Sequence, residues 1–156
     1  MADMIYIFSF FSCIGFALLY NLRGQLVFWT SLGGALGKLA FDLNVIAGQA
    51  FDFFIASIAL AIYAEIMARV TKVPVMVYLI VGVLPIVPGA GVYRAIENFI
   101  NGNIPVSMRY ATNSLVACGA IALAFILVSS TVRIFKLRRF PLLKQHQKLD
   151  FRLRMK

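Results

Sequence analysis

The stretch Val83-Leu84-Pro85-Ile86-Val87-Pro88-Gly89-Ala90-Gly91-Val92-Tyr93-Arg94 gathers residues able to build a binding site. Pro85 and Pro88 each remove a backbone donor and clash with the preceding turn, which opposes a continuous helix. Gly89 and Gly91 permit backbone conformations that other residues resist. Helical spacing resumes over residues 90–100, with Val92, Ile96, Phe99 and Ile100 apolar. The pattern predicts a broken helix around Pro85 to Gly91. Such a break leaves the first N–H groups of the second half-helix unpaired, and its positive dipole end attracts anions. Arg94, about one turn into that half, adds a guanidinium fork suited to a carboxylate. A plainer reading stays open at this level: two prolines and a glycine also suffice to end one helix and begin a loop.

Four polar groups lie within otherwise apolar segments. Charges inside a membrane are costly and by default suggest transport or proton relay. Glu65 precedes Arg69 by four residues, the favourable order for a helical surface pair, and Lys38 precedes Asp42 by the same interval. Those spacings favour structural roles. Asp52 has no basic residue three or four positions away and is the least explained, so Asp52, with Glu65 behind it, is a candidate for coupling to an ion or proton. Asn113, next to Ser114, can line a cavity or make an interhelical hydrogen bond.

Other chemistries find no support. No glycine-rich phosphate loop and no His-Glu-x-x-His motif is present, and the one histidine, His146, lies far into a charged tail. A histidine-dependent triad therefore has no base near the apolar body. Cys13 and Cys118 sit in apolar runs and form no metal or disulfide pattern. Neither an enzyme nor a cofactor or metal site is expected.

The elements that must position these residues are membrane helices. Of 156 residues, 62% are hydrophobic and only 13% charged, and the mean hydropathy is +0.88. A soluble domain of this size lacks the interior to hide so much apolar surface. Five runs are readable: residues 4–22, 25–41, 45–67, 73–87 and 111–132. A span needs about 20 residues to cross a hydrocarbon core of roughly 30 Å. The first, third and fifth runs qualify; the second, shorter and holding Lys38, is either a short helix or a half-buried hairpin element. The expected fold is all-α, a polytopic membrane helix bundle of about five transmembrane helices.

Charge sets the orientation. From Arg133 onward there are nine Lys/Arg against one acid, Asp150, whereas residues 1–132 hold six basic and five acidic side chains. The division is thus a transmembrane domain, 1–132, and a basic cytoplasmic tail, 133–156. Juxtamembrane basic residues mark a cytoplasmic flank, so nucleic-acid binding is excluded as the meaning of the +9 net charge. Five spans with the N-terminus outside put Arg23, Arg69, Lys72 and the tail inside, the N-out/C-in arrangement. Nothing at the acidic N-terminus resembles a cleaved signal. Gly33 and Gly37, and Ser57, Ala61, Ala64 and Ala68, form small-residue seams for close helix contact, either within this chain or with another.

With these elements in place, the Pro-x-x-Pro-Gly string at Pro85 to Gly89, followed by Tyr93, resembles the signature of the threonine/serine exporter (ThrE) family. The Leu-Gly-Gly-Ala-Leu-Gly core of run two, and the Ala68-Arg69 end of run three before Lys72-Val73-Pro74, fit that family in order and spacing. The resemblance covers most of residues 5–132. Length and layout are similar to the YjjB-type small subunit, which corresponds to the C-terminal half of the full-length exporter; the basic tail matches nothing in that pattern. The resemblance implies a multi-pass protein of the bacterial inner membrane, acting with a second subunit of the YjjP type. Threonine, serine and, for the split form, succinate are the implied substrates. The candidate substrate-binding set is Pro88, Gly89, Gly91, Tyr93, Arg94 and Asn113. Two other functions remain open: an assembly subunit using the small-residue seams, and a homo-oligomeric channel.

Overall fold

The computed structural model describes residues 2–43 and 48–138. Asn44, the expected start of run three at residue 45, and the tail beyond 138, with His146 and Asp150, lie outside the described residues. Six helices and no strand are present among the described residues: α1 (Ala2–Leu19), α2 (Gln25–Asp42), α3 (Gln49–Thr71), α4 (Val75–Gly82), α5 (Gly89–Ile100) and α6 (Ile104–Arg138). Two stretches, Gln49–Thr71 and Ile104–Ile134, are long and apolar enough to cross a membrane. Run two is one helix, α2, rather than a hairpin element. α6 continues to Arg138, so residue 133 falls inside a helix.

Run four differs most from a simple span. α4 has eight residues, which at 1.5 Å each give about 12 Å, far short of a hydrocarbon core. The chain then turns through Val83–Val87, and Pro88 caps the start of α5. The physical cause is the one the residues imply: prolines at 85 and 88 cannot supply the ladder donors a continuing helix needs.

α3 is the central helix. Phe53, Ala56, Ser57, Leu60, Ala61, Ala64, Met67 and Ala68 are buried along it at intervals of three and four. α2, α4 and α6 pack around this face, and α1 lies on α2 with Cys13 and Ala17 against Val81 of α4. α6 runs parallel to α3: Phe53 shares a cleft with Tyr110 and Ser114, while further along, Leu79 of α4 and Val83 just past its end line a second pocket with Phe125 and Ile126. α5 lies antiparallel on the first third of α6. Ser107 Oγ donates to the Ala95 carbonyl at 2.7 Å in a buried contact, and Gly91 abuts Ser114.

Glycines set the closest helix approaches. A Cβ at Gly33 would meet the Tyr63 ring at 2.7 Å, and one at Gly37 would meet Ile86 at 2.7 Å. Both seams named from the sequence, on α2 and on α3, are therefore filled by this chain's own helices. The small residues of these seams thus touch neighbours within this chain.

Both local ion pairs expected from spacing form. Lys38 Nζ lies 2.8 Å from Asp42, and Arg69 lies 3.0 Å from Glu65.

Candidate functional site

The helix break, the start of α3 and the first turns of α6 enclose a cleft of about 480 Å³. That volume falls in the range of small-molecule sites. α5 contributes Pro88, Ala90, Gly91 and Arg94; α6 contributes Val106, Arg109, Tyr110, Asn113 and Ser114; α3 contributes Gln49 and Phe53. Two arginines thus line one cavity, and among the described residues no Asp or Glu lines it. Arg94 also sits over the Tyr110 ring, its Cζ 5.8 Å from the centroid, a cation–π contact that orients the side chain from beneath. The opposite wall is held by Phe53, buried and in ring contact with Phe41 of α2 at 4.8 Å between centroids.

The backbone at the break is more fully bonded than an isolated half-helix would be. Gly89 N–H donates to the Val87 carbonyl at 2.7 Å, and the N–H groups of Gly91 and Val92 both donate to Pro88 at 3.1 and 3.2 Å. Ala90 is left as the first-turn residue whose N–H has no backbone acceptor among the described residues. A helix N-terminus normally offers several orphan donors. Here the attraction for an anion comes mainly from Arg94 and Arg109, with one free N–H beside them.

Of the residues picked from sequence for substrate binding, Pro88, Gly91, Arg94 and Asn113 converge on this cleft; Gly89 and Tyr93 do not line it. Tyr93 points outward, two-thirds exposed. A Cβ at Gly89 would meet nothing within 4 Å, while one at Gly91 would lie 2.5 Å from Ser114 Oγ, which itself donates to the Tyr110 carbonyl at 2.9 Å. Gly91→Leu is accordingly expected to force α5 off α6 and distort the cleft, at a cost of roughly 1–3 kcal/mol. Gly89→Leu should leave thermal stability in detergent within a degree or two of wild type. Equal melting temperatures for the two variants would contradict this packing.

Among the coupling candidates, Glu65 lies near the far end of α3, paired with Arg69 and remote from the cleft. Asp52 belongs to the first turn of α3, next in the chain to the lining residue Phe53. Gln49, Phe53, Arg109 and Tyr110 join the cleft without having been singled out as binding residues, and Ser114 lines it beside Asn113, with which it was named. Arg109 carried one available signal, its place four residues, about one helical turn, before Asn113. The contributions of Gln49 and Phe53 depend on α3 and α6 running parallel, which no local pattern encodes.

The described residues thus form an all-helical body with two helices of membrane-crossing length and an arginine-lined cleft at a helix break. Residues 5–131 match the family model described as threonine/serine exporter, ThrE, and the chain belongs to that family. Among curated proteins and solved structures, none matches the chain. The family is one of membrane exporters, in keeping with the lack of any catalytic motif in the sequence.

Proposed function

We propose that this chain is the membrane subunit of a two-component secondary exporter of small carboxylate metabolites in the bacterial inner membrane. The observation that carries this reading is the pairing of Arg94 and Arg109 in a cleft that no acidic side chain lines among the described residues. Two guanidinium forks on one cleft can each hold a carboxylate bidentately. Pro88, Gly91 and Asn113 shape the same site, with the Ala90 N–H as a further donor. Threonine, serine and a succinate-like dicarboxylate all carry the required group.

Five crossings, N-out and C-in, complete the reading. α1, α2, α3 and α6 supply four, and α4 with the break and α5 supplies the other. This order puts Arg23, Arg69, Lys72 and Arg133 at one end of the bundle and the cleft toward the other, as the positive-inside rule requires. The second subunit, of the YjjP type, covers the open side of the cleft, and efflux is driven by an ion or proton gradient.

The test is efflux from cells preloaded with serine, threonine or succinate. Expression of both subunits should raise the initial rate of at least one substrate severalfold over either subunit alone. A chain that exports at the full rate without a second subunit would overturn the two-component reading.

A further inference from the structure

The cleft raises a problem of charge that its own lining does not solve. An amino acid brings an ammonium group as well as a carboxylate, and two guanidinium groups repel the former. The four acidic side chains between residues 4 and 132 can be sorted by what they already do. Asp42 is held by Lys38 at 2.8 Å and Glu65 by Arg69 at 3.0 Å. Glu97 is exposed on α5, a turn beyond Arg94 toward the tip of the α5–α6 hairpin. Asp52 is different: its Oδ1 is buried and has no hydrogen-bond partner among the described residues. A buried acceptor without a donor is costly and calls for an explanation.

Position supplies one. Gln49 and Phe53, four residues apart, form the α3 wall of the cleft, and Asp52 occupies the adjoining row of the same helix turn. Asp52 is not itself a lining residue of the cleft, but it shares a helix turn with Gln49 and Phe53, whose wall faces the α5 and α6 residues Arg94 and Arg109. We propose that Asp52 is the specificity-determining residue for amino-acid substrates, accepting the ammonium group while the two arginines hold the carboxylate. This rests on the carboxylate-export reading above. A dicarboxylate has no ammonium group and gains nothing from Asp52, so one cleft handles the two substrate classes with different residues.

The experiment measures efflux of serine, threonine and succinate from cells expressing both subunits, with Asp52→Asn, Asp52→Glu and Glu97→Gln compared at equal membrane abundance. Asp52→Asn should lower serine and threonine efflux at least tenfold and leave succinate efflux unchanged or higher. Asp52→Glu should restore part of the amino-acid rate, and Glu97→Gln should match wild type for every substrate. An equal fall for all three substrates in Asp52→Asn would assign the residue to coupling or folding and overturn the proposal. So would a wild-type complex that moves succinate and neither amino acid. If instead no substrate is exported by wild type, or removing both arginines changes nothing, the carboxylate-export reading itself fails.

Discussion

Changing Arg94 and Arg109 together to alanine is expected to lower carboxylate efflux by at least a hundredfold, with each single change costing about tenfold. A hydrogen bond to a charged group contributes about 1.5–3 kcal/mol, and each 1.36 kcal/mol is a factor of ten. Two such contacts to one carboxylate then account for roughly two to four decades. Both arginines are exposed, Arg94 resting on the Tyr110 ring and neither joined to an acid by a salt bridge among the described residues. Their removal should therefore leave the bundle folded, and the effect should appear in transport rather than abundance. Lysine at both positions keeps the charge and loses the planar fork, so an intermediate rate is expected. Initial efflux rates at matched membrane levels decide the matter; wild-type rates in the double alanine variant would place the carboxylate site elsewhere.

The largest structural effect is expected at Gly82. A Cβ there would lie 2.6 Å from Leu60 Cδ1 and 3.5 Å from the backbone nitrogen of Gly34. The crossing of α2 and α4 is thus backbone against backbone, with Leu60 of α3 wedged beneath it. Leu60 has no room to yield: it is 1% exposed and also touches the positions where side chains at Gly33 and Gly37 would stand. Close approach of this kind is what holds membrane helices together, since lipid supplies no hydrophobic drive for association. Gly82→Val should reduce the folded, monodisperse fraction after detergent extraction to a small part of wild type, an effect beyond the usual 1–3 kcal/mol of overpacking. Adding Leu60→Ala should recover part of it, because the new methyl groups then occupy the volume the leucine leaves. A Gly82→Val protein that melts at the wild-type temperature would refute the crossing, and failure of Leu60→Ala to help would shift the clash to the Gly34 backbone.

Much of the architecture was legible in the residues because it is locally caused. The end of α4 and restart at α5 follow from Pro85 and Pro88, whose missing donors act within one helical turn. The pairs Lys38–Asp42 and Glu65–Arg69 form because four residues is one turn. Pro88, Gly91 and Arg94 share the cleft because they share one short helix start. Asn113 joins them from a separate helix, and its polarity within an apolar run was the signal. Gly89 and Tyr93 were less legible: their resemblance to a family string says nothing about which side of α5 they occupy, and both lie away from the cleft.

The sequence alone therefore determined the class of protein, a helical membrane protein with a basic end and a broken fourth run, because hydropathy, charge and proline act over one turn or one span. Only the tertiary structure decided that α3 runs parallel to α6, that Gln49 and Phe53 face Arg109, and that the glycine seams are spent inside the chain. Those outcomes depend on which helix faces which across a bundle, and that choice is a sum of many weak packing contacts between residues far apart in the chain.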